Sequence, residues 1–407
     1  MTQTPLLRAL LALAASAVLV AGCGGGGGGG GGEAPAIRST TPLGPSARYA
    51  GVCTPEGQKN FVRSYLDEVY LWFDEIPDVD ASRYNNPRDY FNALLVRTPD
   101  ANGLPRDRFS AALPLAQARD VLQSLDMPQA DAQVLKSHTD AVPVAAVVSS
   151  PGSRQVGYIQ FNDHKVGAQD DLITAFRQIE AQHVHDLVLD LRDNSGGFLY
   201  IALTAASMIT GPAADGKVFE HLEYNDKRGA ESDASTWRFS GEVQSAESQY
   251  PAGTPLPRLG LQRVFVLTTG RTCSASESII NSLRGIDVQV IRVGSTTCGK
   301  PFGFQQKNNC GVAYFPIEFQ GRNAKGFGDY TAGFQPMCEV SEAPGVIPGS
   351  TNDPLLTAAL HYVDNNACPA GTATGVQSAK EPIVTGGAPP RRPGWAGRLL
   401  LPQQQAR

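Results

Sequence analysis

Hydrophobic and polar positions along the chain follow two periods, which together predict an α/β protein. Near the N-terminal end, apolar residues recur at helical spacing over 55–75 and 87–97, which predicts two helices. After residue 150, short apolar runs alternate with helical patterns. The predicted strands are 141–148, 156–161, 186–191, 218–224, 236–239, 263–268 and 288–293, and the predicted helices are 113–138 (one or two pieces), 170–182, 198–209, 276–284 and 353–363. Such alternation is typical of a core with much parallel strand pairing.

Composition changes divide the chain into six segments. Residues 1–22 have the form of an export signal, and 23–47, with nine glycines at 24–32, form a flexible tether. The other predicted segments are a small helical N-terminal domain at 48–112, a connector at 113–150, an α/β domain at 151–367 and a tail at 368–407. The tail has no apolar period, so we expect it to be disordered.

The end of the N-terminal apolar run resembles a bacterial lipobox. Arg8 supplies positive charge, a run too short to span a membrane follows, and the sequence Leu-Val-Ala-Gly-Cys ends at Cys23. We expect cleavage before Cys23 and attachment of the protein to a membrane through lipid on that cysteine. Gly24, in place of an aspartate, favours the outer membrane with the protein facing the periplasm. The alternative is a soluble secretion signal with an incidental cysteine.

Composition and charge argue against several classes of function. The 407 residues are 42% hydrophobic and 18% charged, which fits a globular protein, and a net charge of −5 without a Lys/Arg stripe gives no reason to expect nucleic-acid binding. Neither a Cys-x-x-Cys pair nor a histidine motif marks a metal site, so no metal or organic cofactor is expected. The six cysteines left after Cys23, an even number in an exported protein, favour disulfides of undetermined pairing.

Two residues stand where a hydrolase would need a nucleophile and a base. Ser274 lies between a predicted strand and a predicted helix, and Lys300 follows the next predicted strand. A serine hydroxyl needs a base to take its proton, and a lysine serves only when burial keeps it neutral. Activity should then rise with pH. The simpler interpretation is that Ser274 and Glu277 form a capping box and that Lys300 is a surface lysine.

Three stretches in order resemble the C-terminal processing (tail-specific) serine peptidases. They are Gly-Tyr-Ile-Gln-Phe (157–161), Asp-Leu-Arg-Asp-Asn-Ser-Gly-Gly (190–197) and the segments around Ser274 and Lys300. The resemblance covers roughly 150–365 and implies a crotonase-like (Clp-protease-like) α/β catalytic core. It also implies that Ser274 is the nucleophile and Lys300 the general base.

The same resemblance implies the rest of the catalytic site. The oxyanion hole would consist of the Ala275 N–H and an N–H of the Gly196-Gly197 turn, where glycine lets the backbone approach the substrate carbonyl. Family members often place a glutamine four residues after the lysine. Here that position is Phe304, so Gln305 is predicted as the third residue.

Most members of that family carry a PDZ domain before the Gly-Tyr-Ile-Gln-Phe strand, and PDZ domains bind the C-terminus of a partner by strand addition. Here the segment before it is short and lacks a Gly-Leu-Gly-Phe-like loop, so we expect the PDZ domain to be missing or reduced to a remnant within 113–150.

The sequence therefore predicts a lipid-anchored envelope serine endopeptidase that acts on polypeptides, including ones with apolar C-termini. The alternatives are a silent peptide- or ligand-binding protein on the same scaffold and a hydrolase of non-protein esters or amides. Two other sites remain open: a thiol nucleophile at Cys273 and a Ser/His/Asp triad that uses His164.

Overall fold

The computed structural model describes residues 43–118, 141–372 and 398–400. Its helices are α1 (Pro55–Val69), α2 (Pro87–Ala93), α3 (Ala168–Glu180), α4 (Leu199–Ile209), α5 (Gly229–Ala234), α6 (Ala275–Gly285) and α7 (Pro354–Asn365). Its strands are β1 (Ala111–Pro114), β2 (Val144–Ser149), β3 (Gln155–Gln160), β4 (Asp186–Asp190), β5 (Gly196–Phe198), β6 (Val218–Tyr224), β7 (Thr236–Arg238), β8 (Arg263–Thr268), β9 (Gln289–Gly294), β10 (Phe302–Gly303), β11 (Lys307–Asn309), β12 (Val312–Phe315), β13 (Phe319–Arg322), β14 (Cys338–Glu339) and β15 (Arg398–Leu400).

A six-stranded sheet in the order β14-β9-β8-β4-β3-β2 forms the centre of the fold. Every neighbouring pair in it is parallel except β2 and β3. Helices cover both faces, as alternate residues of β8 show. Val264 and Val266 belong to a core cluster with α3, α4 and α6, whereas Phe265 and Leu267 belong to a cluster with α7. Burial on both faces explains why these strands are continuous apolar runs in the sequence.

Two smaller antiparallel sheets connect this core to the N-terminal helices. One has the order β10-β13-β6-β7 and the other the order β1-β12-β11. Phe61 of α1 and Phe91 of α2 both pack against Tyr314 of β12, with ring centroids 5.9 and 5.6 Å apart. The apolar faces predicted for α1 and α2 are therefore part of the core. The predicted α/β class with a small helical N-terminal region is confirmed.

Helix α1 ends at Val69, earlier than the predicted residue 75. The helix stops because the next residue serves a buried contact: the Tyr70 hydroxyl donates to Asp107 at 2.6 Å, and the Leu71 N–H donates to the Ile317 carbonyl at 2.9 Å. Tertiary hydrogen bonds thus replace the helical ones that the apolar period predicted.

Several predictions differ from the structure or lie outside its described part. Residues 111–114 form a strand, so the helix predicted to begin at 113 begins at 115, and its described part is residues 115–118. Most of the proposed PDZ remnant falls outside the described residues. The signal segment, the tether and Cys23 also lie outside them. Strand β15 lies within 368–407, where composition predicts disorder. Among the described residues, no helix is long and apolar enough to span a membrane.

Three disulfides join the six cysteines beyond Cys23, as the even count predicted. The pairs are Cys53–Cys310, Cys273–Cys298 and Cys338–Cys368. The first joins the segment just before α1 to the β11–β12 turn, and the third joins β14 to the segment after α7.

Candidate active site

Three loops that carry the predicted site residues leave the same edge of the central sheet. The Gly196-Gly197 turn follows β4, Ser274 follows β8, and Lys300 follows β9. Because β4, β8 and β9 are parallel neighbours, their carboxyl ends meet at one edge. The strand order thus assembles residues that are about 100 positions apart in the sequence, as the motif order predicted.

Ser274 occupies a strained position at the start of helix α6. Its backbone has φ +57° and ψ −116°, a left-handed conformation that non-glycine residues adopt at a cost of roughly 1–3 kcal/mol. A sharp strand-to-helix turn of this kind is typical of nucleophile elbows. Residues 274–277 have the arrangement of a capping box, yet the buried Ser274 Oγ forms no hydrogen bond of normal geometry. The capping box predicted from the spacing is therefore present, with its Glu277 half formed at normal hydrogen-bond geometry.

The Glu277 carboxylate connects the serine turn to the lysine loop. It accepts the backbone N–H groups of Ser274 at 3.0 Å, Gly299 at 2.9 Å and Lys300 at 2.8 Å. Burial raises the pKa of this fully buried carboxyl, whereas its hydrogen-bond donors oppose that rise. A single side chain thus fixes both proposed catalytic residues through their main chains, beyond the capping role that spacing alone predicted.

A disulfide makes a second connection between the same two loops. Cys273 directly precedes the serine, Cys298 lies two residues before the lysine, and their Cα atoms are 5.2 Å apart. In the described part of the chain, Cys273, Glu277 and Cys298 are the only group with ligand atoms close enough for a metal. The two sulfurs are bonded to each other, so neither is available as a thiolate ligand in this state.

Lys300 lies in an aromatic pocket, with only 1% of its surface exposed. Its Nζ is 4.4 Å from the ring centroid of Phe304 and 5.4 Å from that of Phe109. Burial disfavours the charged ammonium, whereas the ring faces attract it, so the two effects oppose each other. Arg108 holds this loop from the N-terminal domain by donating to the carbonyls of Gly299 and Thr331 at 3.0 and 2.7 Å.

The glycine turn after β4 has backbone geometry that only glycine allows. Gly196 has φ +93° and Gly197 φ +151°, and a Cβ on Gly197 would lie 2.4 Å from the His164 carbonyl oxygen. The Gly196 N–H donates to Asn194 Oδ1 at 3.0 Å. Because this donor is engaged, Gly197 is the better placed of the two to supply an oxyanion-hole N–H.

Hydrogen bonds hold the glycine turn against the serine turn. The Asn194 carbonyl accepts the Cys273 N–H at 3.1 Å and the Ser276 hydroxyl at 3.0 Å. The Leu191 carbonyl accepts the Thr272 hydroxyl at 2.7 Å. The structure therefore places Ser274 and the proposed oxyanion-hole residues Ala275, Gly196 and Gly197 in one bonded unit.

A buried network of ion pairs stabilises the carboxyl end of β4. Arg192 forms salt bridges with Asp190 at 2.8 Å and Asp353 at 2.5 Å, and the Tyr158 hydroxyl donates to Asp190 at 2.7 Å. These contacts give Asp190 and Arg192 a structural role.

The two rival catalytic sites lose support. Cys273 is bonded to Cys298 and has no free thiol. His164 is fully buried with Nδ1 2.9 Å from Asn194 Oδ1, and neither its Nε2 nor Ser274 Oγ has a hydrogen-bond partner. Burial lowers the pKa of His164 to about 3, which makes its imidazole a weak base at neutral pH.

Gln305 lies next to the lysine pocket without a visible role in it. Its backbone N–H donates to Glu318 at 3.2 Å, and its side chain is half-buried. The ring that contacts Lys300 belongs instead to Phe304. The prediction that Gln305 orients the lysine remains untested.

Two residues of the site were missed by sequence reasoning. Arg108 and Phe109 reach the lysine loop from almost 200 positions away in the chain. No local motif marks them, since an Arg-Phe pair near the end of a helical domain has no special pattern. The substitution of Phe304 for the expected glutamine was the only signal that the lysine pocket is aromatic.

Comparisons with known proteins agree with this geometry. Residues 155–310 match Peptidase family S41, and residues 57–111 match the Peptidase S41 N-terminal domain. The chain is 28% identical over 161 residues to the carboxy-terminal processing protease CtpA of Bacillus subtilis, an alignment that covers 40% of this chain and 29% of that protein. It is 27% identical over 159 residues to a carboxyl-terminal-processing protease of a Picosynechococcus strain, covering 39% of this chain and 32% of that protein.

A solved structure shows the same fold. A protein from Bacteroides fragilis assigned to the S41 proteases superposes with a TM-score of 0.57 at 19% identity, covering 75% of this chain and 97% of its own. The sequence matches span less than a third of the length of the two curated relatives, whereas the fold match spans nearly all of the solved chain. With its catalytic domain and its N-terminal domain both matched, the chain belongs to peptidase family S41.

Proposed function

We propose that the protein is a serine endopeptidase of the bacterial cell envelope that hydrolyses peptide bonds with Ser274 as nucleophile and Lys300 as general base. The observation that carries this proposal is the Glu277 carboxylate, which binds the main chains of both residues at 3.0 and 2.8 Å. A buried lysine and an unpartnered buried hydroxyl are each uncommon. Their attachment to one carboxylate, beside a glycine turn, favours a catalytic role over a structural one.

The chemistry follows from the placement of the groups. Neutral Lys300 takes the proton of Ser274 Oγ as the oxygen attacks the peptide carbonyl carbon, and then gives a proton to the leaving amine. The resulting acyl-enzyme is hydrolysed by a water molecule that Lys300 deprotonates. The oxyanion of each tetrahedral intermediate would accept the N–H groups of Ala275 and Gly197, and one such donor typically lowers the barrier by about 3 kcal/mol. Gln305 remains the proposed third residue.

Polypeptides are the proposed substrates. The names of the two curated relatives refer to carboxyl-terminal processing, which favours substrates cut near their C-termini. Apolar C-terminal residues are our specific proposal. The sequence pattern at Cys23 supports attachment to a membrane through lipid, with the peptidase on the periplasmic side of the outer membrane.

The test compares the full-length wild type with Ser274→Ala and Lys300→Met. Methionine keeps the length and apolar packing of the lysine side chain without its amine. Lys307→Met is the matched control, because Lys307 is exposed on β11, outside the lysine pocket. The assay is cleavage of an unfolded protein with and without an apolar C-terminal tail.

We expect Ser274→Ala and Lys300→Met each to lower the rate by about 10⁴-fold or more, whereas Lys307→Met is unchanged. Cleavage that survives Lys300→Met would exclude the Ser/Lys mechanism. A folded wild type that binds peptides without cutting them would favour the binding-protein alternative. A wild type that cuts esters but not peptides would favour the non-protein hydrolase.

A further inference from the structure

A short segment from the C-terminal part of the chain pairs with the proposed oxyanion turn. Strand β15, Arg398–Leu400, is parallel to β5, Gly196–Phe198, with Leu399 opposite Gly197. Strand β15 also lies against β10, which begins two residues after Lys300. The segment therefore runs between the two backbone elements that border the proposed active site.

The direction of the Gly197 N–H follows from the other bonds of β5. The Phe198 N–H donates to the His164 carbonyl at 2.9 Å, and the Gly196 N–H donates to Asn194 at 3.0 Å. Backbone groups of successive strand residues face opposite edges, so the N–H and C=O of Gly197 face away from His164, toward β15. In a parallel ladder with this register, the Gly197 N–H meets the carbonyl of Arg398.

A peptide substrate would need a carbonyl group at the same position, opposite the Gly197 N–H. The Gly197 N–H is the donor proposed for the oxyanion hole, so the Arg398 carbonyl stands where a scissile carbonyl would stand. Addition of an extended peptide to an exposed strand edge is a common mode of peptide recognition, in which main-chain hydrogen bonds supply affinity. The sequence around the paired residues, Gly-Arg-Leu-Leu-Leu-Pro at 397–402, is apolar, as proposed for substrate tails.

We propose that residues 398–400 occupy the substrate groove of the same chain as an intramolecular substrate mimic. The edge of β5 is then the substrate-binding edge, and the substrate class is an extended, apolar peptide that places a carbonyl at the Gly197 N–H. This inference rests on the proposed function, because it takes the glycine turn to be the oxyanion turn. External peptides must compete with the chain's own segment.

The expected size of the competition follows from tethering. A segment of the same chain acts at an effective concentration of about 1 mM. If that segment binds the groove with a Kd of about 0.1 mM, it weakens the apparent binding of an external peptide about tenfold. A variant whose segment cannot pair with β5 should regain that tenfold in its affinity for the external peptide.

The test uses full-length chains that carry Ser274→Ala, so that no probe is consumed. The parent is compared with a variant that adds Leu399→Pro and Leu400→Pro, since proline removes the backbone N–H needed for pairing. The matched control adds Gln404→Pro and Gln405→Pro, which lie in the same tail beyond the paired residues. The probe is the fluorescent peptide Gly-Arg-Leu-Leu-Leu-Pro, and its Kd is measured by anisotropy.

We expect the Leu399→Pro/Leu400→Pro chain to bind the probe about tenfold more tightly than the parent and the control, which should agree with each other. Equal affinity in all three chains, or no binding by any of them, would overturn the inference. The proposed function is judged separately by wild-type cleavage of an unfolded protein. Cleavage with equal probe affinities refutes only the self-binding segment. Tighter probe binding without any wild-type cleavage refutes only the peptidase.

Discussion

Removal of the Cys273–Cys298 disulfide should separate its effect on the positions of the proposed catalytic residues from its effect on the stability of the fold. It joins the residue before the proposed nucleophile to a residue two before the proposed base. The perturbation is the double substitution Cys273→Ala/Cys298→Ala. Its matched control is Cys338→Ala/Cys368→Ala, which removes the disulfide between β14 and the segment after α7.

The two disulfides should contribute almost equally to folding. Their sequence separations are 25 and 30 residues. Loop-closure entropy in the unfolded chain then gives about 3.5 kcal/mol for each in the free energy of unfolding. Their effects on activity should differ. Without the first disulfide, the serine turn is held to the lysine loop by the hydrogen bonds of Glu277 and by the Cys298 N–H, which donates to the Thr272 carbonyl at 3.0 Å. Small displacements of reacting groups cost up to about 10²-fold in rate.

The assay is kcat/KM on a peptide substrate under conditions in which both variants remain folded, together with denaturant unfolding. We expect both variants to lose about 3.5 kcal/mol of stability, and only Cys273→Ala/Cys298→Ala to lose at least about tenfold in kcat/KM. If the two variants kept kcat/KM within twofold of each other, the disulfide would have no positioning role. Reduction of the wild type should reproduce the loss of activity.

Three further predictions concern residues around the site. Burial raises the pKa of Glu220 from an ordinary value of 4.5 to about 8, so between those pH values the unfolded chain ionises while the folded chain stays protonated. The free energy of unfolding should therefore fall by up to about 5 kcal/mol as pH rises from 4.5 to 8. Denaturant unfolding of Glu220→Gln should show a smaller fall over the same pH range, and an unchanged fall would contradict the prediction. Asp353→Ala leaves Arg192 with one fewer buried partner and should lower the free energy of unfolding by about 3–5 kcal/mol, whereas a loss under 1 kcal/mol would refute the network's role. Gly197→Ala would push a Cβ against the His164 carbonyl and should abolish cleavage, while Gly167→Ala, also at positive φ but with open space, should keep it; equal activities would contradict the oxyanion assignment.

The sequence points to the candidate site residues because each lies where chemistry restricts the residue type. Ser274 and Lys300 follow buried parallel strands, and Gly196-Gly197 must be glycine for backbone reasons. Apolar runs such as Val264–Leu267 are strong signals, since strands buried on both faces admit little else. The central sheet and the strand-end positions of the site follow from them.

Other features depend on distant contacts that leave no local pattern. The partners of Cys273 and Cys53 became clear only once the strands were ordered in space. Phe109 completes the lysine pocket from another domain, and Glu277, spaced for a helix cap, also binds the lysine loop. Strand β15 was missed because three residues that pair with a distant strand have no period of their own.

The most direct test of the central claim is covalent labelling of the nucleophile. The full-length protein is treated with a fluorophosphonate probe, and the modified peptide is mapped by mass spectrometry. We predict one adduct on Ser274, none on the Ser274→Ala chain, and labelling slowed by at least about 10²-fold in Lys300→Met, because the serine then lacks its base. Labelling at another residue, or at Ser274 with the same rate in Lys300→Met, would contradict the proposal that these two residues form the catalytic pair.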